Sequence, residues 1–180
     1  MRTIAEVSIS PNGILVNGTE TILNPTENWL KQAYQQLGVE YPKFYKMDVL
    51  SKMAFICVEK LKQVGPNDWA INENLPQILA NANASQYTDI QFEATYTQSK
   101  TPSPSLFVYT LPNIVTGELA IRNKWYGQNW FFILEKLDWS FLEQQIIINL
   151  FDYTGFVICG WTDISTELNS ANATFRLIEL

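Results

Sequence analysis

The sequence carries little of the usual equipment for covalent catalysis. It contains no histidine, which removes the commonest general base near neutral pH and the commonest metal ligand. Ser-His and Cys-His nucleophilic systems are therefore excluded within this chain. The two thiols, Cys57 and Cys159, each sit in an apolar segment far apart in sequence, where a thiol packs as a small hydrophobe and its reactive thiolate is disfavoured. Asp48, Glu118 and Asp163 are residue types suited to general acid–base work, but nothing in their spacing pairs them. Asp48 and Lys52 have a simpler i,i+4 relation. Asn81-Ala82-Asn83-Ala84-Ser85 reads as a polar turn or as the lining of a pocket at a strand's C-terminal end. There is no Gly-rich phosphate loop and no CxxC pair, so neither cofactor nor metal is expected.

The elements that would position these residues follow from hydrophobic period and punctuation. Thr3 to Ser10 alternates with period two and ends at Pro11-Asn12-Gly13, a strand and turn, with Ile14-Leu15-Val16 and Asn17-Gly18 as a short hairpin excursion. Asn24-Pro25-Thr26-Glu27 has the cap, proline and acid of a helix start. The strongest helix follows, with Leu50, Met53, Ala54, Cys57, Val58 and Leu61 on one stripe. Gln77 to Asn81, Trp130 to Leu134 and Gly155 to Trp161 read as inner strands. Ser140-Phe141-Leu142-Glu143 has capping-box spacing ahead of an apolar helix that should be buried on both sides. Ala173 to Leu180 alternates and is expected as an antiparallel edge strand. Strands interleaved with helices imply an α/β fold, a mixed, mostly parallel sheet with helices on both faces, in a single domain over residues 1–180.

Composition narrows the partners. With 12 Lys and Arg against 18 Asp and Glu the chain carries a formal charge of −6 and has no basic run, which argues against nucleic acid and anionic membranes. No stretch approaches the roughly 18–20 apolar residues of a membrane helix, and the N-terminus lacks the apolar core of a signal peptide. A cytoplasmic location with reduced thiols is the expectation.

Four segments, in order, resemble the N-terminal half of β-ketoacyl-ACP synthases, which have the thiolase fold. Tyr41-Pro42-Lys43-Phe44-Tyr45-Lys46-Met47-Asp48-Val49-Leu50-Ser51-Lys52-Met53-Ala54 is similar to the family's F-x-K-M-D-x-L-S-K entry to a long helix. Ser103-Pro104-Ser105-Leu106-Phe107 with Leu111-Pro112-Asn113 resembles its SP-x-x-F … LPN stretch. Gly117-Glu118-Leu119-Ala120-Ile121-Arg122 with Tyr126-Gly127-Gln128-Asn129 resembles the G-x-I-A-I … G-P-N approach to the nucleophile. Ile158-Cys159-Gly160-Trp161-Thr162-Asp163 resembles V-x-G-G-x-D. Together they cover most of the chain and look like the small synthase-like proteins of aryl-polyene and flexirubin pigment clusters.

The departures bear on function. The spacing that leads from the family's G-P-N to its active-site Cys leads here from Gly127 to Glu135 and Lys136, and no Cys occurs between residues 58 and 158. The family's other catalytic groups are histidines of its C-terminal half. Neither Glu135 nor Lys136 can form an acyl thioester. With Asp138 they read as a degenerate nucleophile position, either a new site or a solvated loop. Trp125, Tyr126, Trp130 and Trp139 flank the segment that builds the dimer interface in thiolase-like folds; core packing accounts for some of them, an interface for their density.

The resemblance implies a non-catalytic synthase-like subunit in fatty-acid, polyketide or pigment synthesis. It would homodimerise or pair with a full-length ketosynthase as a chain-length factor does, and could engage acyl carrier protein near Arg122 and Lys124. The alternatives are an acyl-chain or carrier-protein binding module, and an enzyme with non-condensing chemistry.

Overall fold

A computed structural model describes residues 1–23, 28–66 and 68–180; the helix start read at Asn24-Pro25-Thr26-Glu27 lies outside them. In chain order the elements are strands β1 (Arg2–Ser10), β2 (Gly13–Val16) and β3 (Thr19–Ile22), then helices α1 (Trp29–Gln35) and α2 (Val49–Val64). Strand β4 (Gln77–Asn81) precedes helices α3 (Gln86–Thr97), α4 (Pro104–Phe107) and α5 (Ile114–Asn123). Strand β5 (Asn129–Ile133), helix α6 (Trp139–Asn149) and strands β6 (Phe156–Asp163) and β7 (Asn172–Glu179) complete the chain.

The seven strands form one sheet in the order β3-β2-β1-β7-β6-β4-β5. The expected mixed α/β sheet is present, but its parallel share is smaller than expected. Only β4 pairs in parallel, with β5 and β6, while β1–β2, β2–β3, β1–β7 and β6–β7 are antiparallel. Tight turns account for β1–β2 and β2–β3, since a two-residue connection can join only antiparallel strands. Strand β7 corrects a second expectation. It is antiparallel, as its alternation suggested, yet lies between β1 and β6 in the middle of the sheet.

Alternation along β1 and β7 puts Ala5, Val7 and Ile9, with Ala173, Phe175 and Leu177, into the larger core under α1, α2 and α5. Asp48 caps α2, its carboxylate accepting from the Ser51 N–H at 3.0 Å. Gly160 lets β6 pass beneath the Phe175 ring, which a Cβ there would meet at 2.6 Å. On the other face, Leu142, Ile146 and Leu150 at α6 cover Ile78, Ala80, Val157, Cys159 and Ile178. Helices thus lie on both faces.

Helix α6 corrects two readings. Its cap is Asp138, which accepts from the Phe141 N–H at 3.0 Å, rather than Ser140. Its far side is open instead of buried, with Ile148 64% and Phe151, just past its end, 84% exposed.

Candidate functional site

The parallel strands β4, β5 and β6 end together, which is where ligands sit in open α/β sheets. Leu134 donates its N–H to the Asn81 carbonyl at 2.8 Å, carrying the β5–α6 loop past the end of β4. Glu135 and Lys136 are exposed in that loop, with no ion pair to either among the described residues. Asp138 is occupied in capping α6.

The neighbouring polar residues are consumed by their own turn. Asp163, at the end of β6, accepts from the backbone N–H groups of Ala82 and Asn83 at 3.1 and 3.0 Å and from Asn83 Nδ2 at 2.9 Å. Asn81 closes the same turn on Ala84 from both ends of its amide, at 2.7 and 3.1 Å. Of the two readings of residues 81–85, this is the polar turn. Asp163 is thus committed to holding the turn after β4.

Both cysteines are buried and lie in different cores, Cys57 on α2 and Cys159 on β6. Burial pushes the Cys57 thiol far up and the Cys159 thiol up to about 12. Neither supplies a thiolate near neutral pH.

One polar cluster joins residues remote in sequence. Glu118 is buried on α5, its Oε1 accepting from the Tyr109 hydroxyl at 2.9 Å while Oε2 faces Lys43 Nζ at 2.7 Å. That second contact is an ion pair rather than a well-angled hydrogen bond. Burial raises the Tyr109 hydroxyl, and the charges of Glu118 and Asp48 add to the effect. The structure thus brings Asp48 and Glu118 to one phenol and leaves Asp163 apart. Asp48 is half-buried, and desolvation pushes its carboxyl upward. Beside this cluster, Glu59 accepts from Arg122 Nε and Lys62 Nζ at 3.0 and 2.8 Å. Burial alone would raise Glu59, but these hydrogen bonds outweigh it and hold the carboxyl low. Lys62, with only a share of that carboxylate, is pulled down by burial. The Arg122 guanidinium also lies over the Tyr41 ring at 4.8 Å. The cluster fastens α5 to α2 and to the Pro42–Lys46 turn. It is a closed set of pairs with no reactive group left over.

The four flanking aromatics separate. Trp125 is core, its Nε1 donating to the Ala70 carbonyl at 2.9 Å, so for this residue packing is the one of the two readings that holds. Tyr126 is exposed, and Trp130 and Trp139 are half-buried, Trp139 beneath the Arg176 guanidinium at 3.8 Å.

This architecture is the thiolase-like fold of the ketosynthases. No protein-family model and no curated protein matches the sequence, but solved structures match the fold over nearly its whole length. One is a ketosynthase (ApeO) in complex with its chain length factor (ApeC) from Xenorhabdus doucetiae, at TM-score 0.69 and 12% identity, covering 99% of this chain and 78% of that one. The ishigamide ketosynthase/chain length factor matches at TM-score 0.67 and 14% identity, over 99% of this chain. A type II polyketide acyl-carrier protein in complex with its ketosynthase (AntDE:AntF) matches at 0.64 and 14%, over 98%. The chain spans 61% of each of the latter two chains. The fold expected from the four motifs is therefore the fold observed.

Proposed function

We propose that this chain is a non-condensing, ketosynthase-like accessory subunit of the chain-length-factor kind, a pseudoenzyme of fatty-acid, polyketide or pigment synthesis. The observation that carries this reading is the end of β5. Where the family's thioester-forming Cys would stand, Glu135 and Lys136 sit exposed in a loop, while both thiols are buried elsewhere. Losing nucleophile and histidines together costs a condensing enzyme several orders of magnitude in rate. The complexes among the fold neighbours, a ketosynthase with a chain length factor and a ketosynthase with an acyl-carrier protein, support a partnered role.

The β5 edge supports pairing with a ketosynthase. Among the described residues strand β5 is hydrogen-bonded on one side only, to β4, and its sequence Asn-Trp-Phe-Phe-Ile is largely apolar. A bare apolar edge is a template for another strand. The test is light scattering of the chain alone and mixed with a full-length ketosynthase of the same organism. A heterodimer is expected; a monomer that captures nothing sinks the reading. Lys136→Cys is expected to gain no condensing activity by itself, since the chain has no histidine to stabilise the developing charge.

A second reading, acyl-chain binding, is favoured by one cleft of about 290 Å³ lined by Ile146, Ile147, Leu150, Phe151 and Leu180 among others. Binding of a fluorescent fatty acid, abolished by Phe151→Asp, would carry it; no binding would remove it.

A further inference from the structure

At the ends of β4, β5 and β6 opposite the Glu135–Lys136 loop, three connections meet around a cleft of about 380 Å³. Residues 72–76 lead into β4, 124–128 into β5, and 150–155 run from α6 into β6. The lining includes Asn74, Tyr126, Gln128, Asn149, Asp152 and Tyr153. The volume falls within the range of small-molecule sites.

The walls are set by the protein itself. The Gln77 N–H donates to the Gln128 carbonyl at 2.9 Å and the Tyr126 N–H to the Glu73 carbonyl, which ties the first connection to the second. Tyr153 ties the first to the third, its hydroxyl accepting from Asn72 Nδ2 and donating to the Phe156 carbonyl, both at 3.0 Å. Gly127 allows the close approach, since a Cβ there would run into the Asn74 and Leu75 carbonyls.

Within this frame the polar side chains are uncommitted. The Asn74 and Gln128 amides, the Asp152 carboxylate and the Tyr126 hydroxyl have no hydrogen-bond or ion-pair partner among the described residues. Asn149 commits only its Nδ2, to Gln145. The other end of β4 is the opposite case, where Asp163 and Asn81 are consumed by their own turn.

The residue types select the ligand. No cation lines the cleft, so nothing there would hold a phosphate or carboxylate. Each amide offers a donor and an acceptor side by side, and a carboxylate accepts from two neighbouring donors. Closely spaced hydroxyls, which both donate and accept, match that set. Tyr126, 73% exposed, adds an aromatic surface with a polar tip, suited to the C–H face of a sugar ring. A nucleobase would also pair with an amide, but it presents few donors to a carboxylate.

We propose that this cleft binds a neutral saccharide, with Tyr126 as the platform and Asn74, Gln128 and Asp152 as the hydrogen-bonding groups. The site goes beyond the accessory-subunit reading and does not depend on it.

The experiment titrates the ¹⁵N-labelled chain with glucose, galactose, mannose, maltose and cellobiose and follows backbone amide shifts. At least one sugar is expected to shift Tyr126, Gly127, Gln128 and Asp152 together, with a dissociation constant on the order of 1 mM that is insensitive to salt. Tyr126→Ala should weaken binding by about tenfold. Asp152→Asn, which keeps an acceptor and loses the charge-assisted bond, should weaken it by about threefold. Tyr96→Ala, at an exposed tyrosine outside the cleft, should change nothing. Silence across the whole panel would overturn the proposal, as would equal binding by Tyr126→Ala and the unaltered chain. Adenosine binding more tightly than every sugar would assign the cleft to a nucleoside instead. Putrescine binding that salt and Asp152→Asn abolish, with no sugar bound, would assign it to a basic ligand. Either result overturns the saccharide.

Discussion

The two faces of the sheet are finished to different degrees. Under α1, α2 and α5, the larger core closes completely around Trp29, Phe44, Phe55 and Phe175, and the charges drawn into it are paired: Glu118 with Lys43, and Glu59 with Arg122 and Lys62. On the α6 side, Leu142 and Ile146 are buried while Ile147, Ile148 and Phe151 stand at the surface. The sheet edges repeat the contrast. Strand β3 is short, wholly exposed and reads Thr-Glu-Thr-Ile, the kind of edge that discourages pairing; β5 is apolar and half-buried. The core under α1, α2 and α5 is closed, whereas α6 leaves its own apolar far side uncovered.

This contrast is broken or sharpened by substitution, and the largest effect belongs to the finished side. Phe175 is fully buried in the central strand β7 and packs against the bare backbone of Gly160. Phe175→Ala should cost about 3–5 kcal/mol, the usual range for emptying such a site, read by urea denaturation. A cost below about 1 kcal/mol would mean that β7 is peripheral, as its sequence alone suggested.

The open side should behave oppositely. Ile133→Asp, at the end of β5, should leave stability within about 0.5 kcal/mol, as exposed substitutions do. Ketosynthase affinity should nonetheless fall by about 2 kcal/mol, roughly thirtyfold, if Ile133 lies at the centre of the contact. Ile22→Asp on β3, also exposed to solvent, is the control and should alter neither. If both substitutions weaken the complex alike, the distinction between the edges fails.

How much of this was legible beforehand divides along physical lines. Local period and punctuation marked β4 at its observed bounds and the stripe of α2, because both patterns are written in adjacent residues. Pairing is not written there. The alternation of Ala173 to Leu180 shows a strand with two unlike faces, but not whether one neighbour or two will hydrogen-bond to it. The Ser140–Glu143 spacing lost to Asp138 because both caps were available within one turn, and the backbone took the earlier. Counting from Gly127 put Glu135 and Lys136 just beyond β5, and the structure has them exposed in the loop there. The Tyr109–Glu118–Lys43 cluster was not, since no spacing joins those three residues.

The smallest effect tests the finished side from within. Asp48 accepts the Ser51 N–H as cap of α2, yet burial pushes its carboxyl above the ordinary 3.8. A carboxyl raised on folding holds its proton more tightly in the native state. Its contribution to stability is therefore greatest below the unfolded value and is lost as pH rises through the folded one. Asparagine caps as well as aspartate and carries no charge to desolvate. Asp48→Asn should therefore match or exceed the unaltered chain near neutral pH, by no more than about 1 kcal/mol. The difference should shrink as pH falls toward 4. Thermal melts of both proteins across that range decide it. A variant that is less stable at neutral pH would mean that the Asp48 charge, facing Lys52, stabilises the helix start more than burial penalises it.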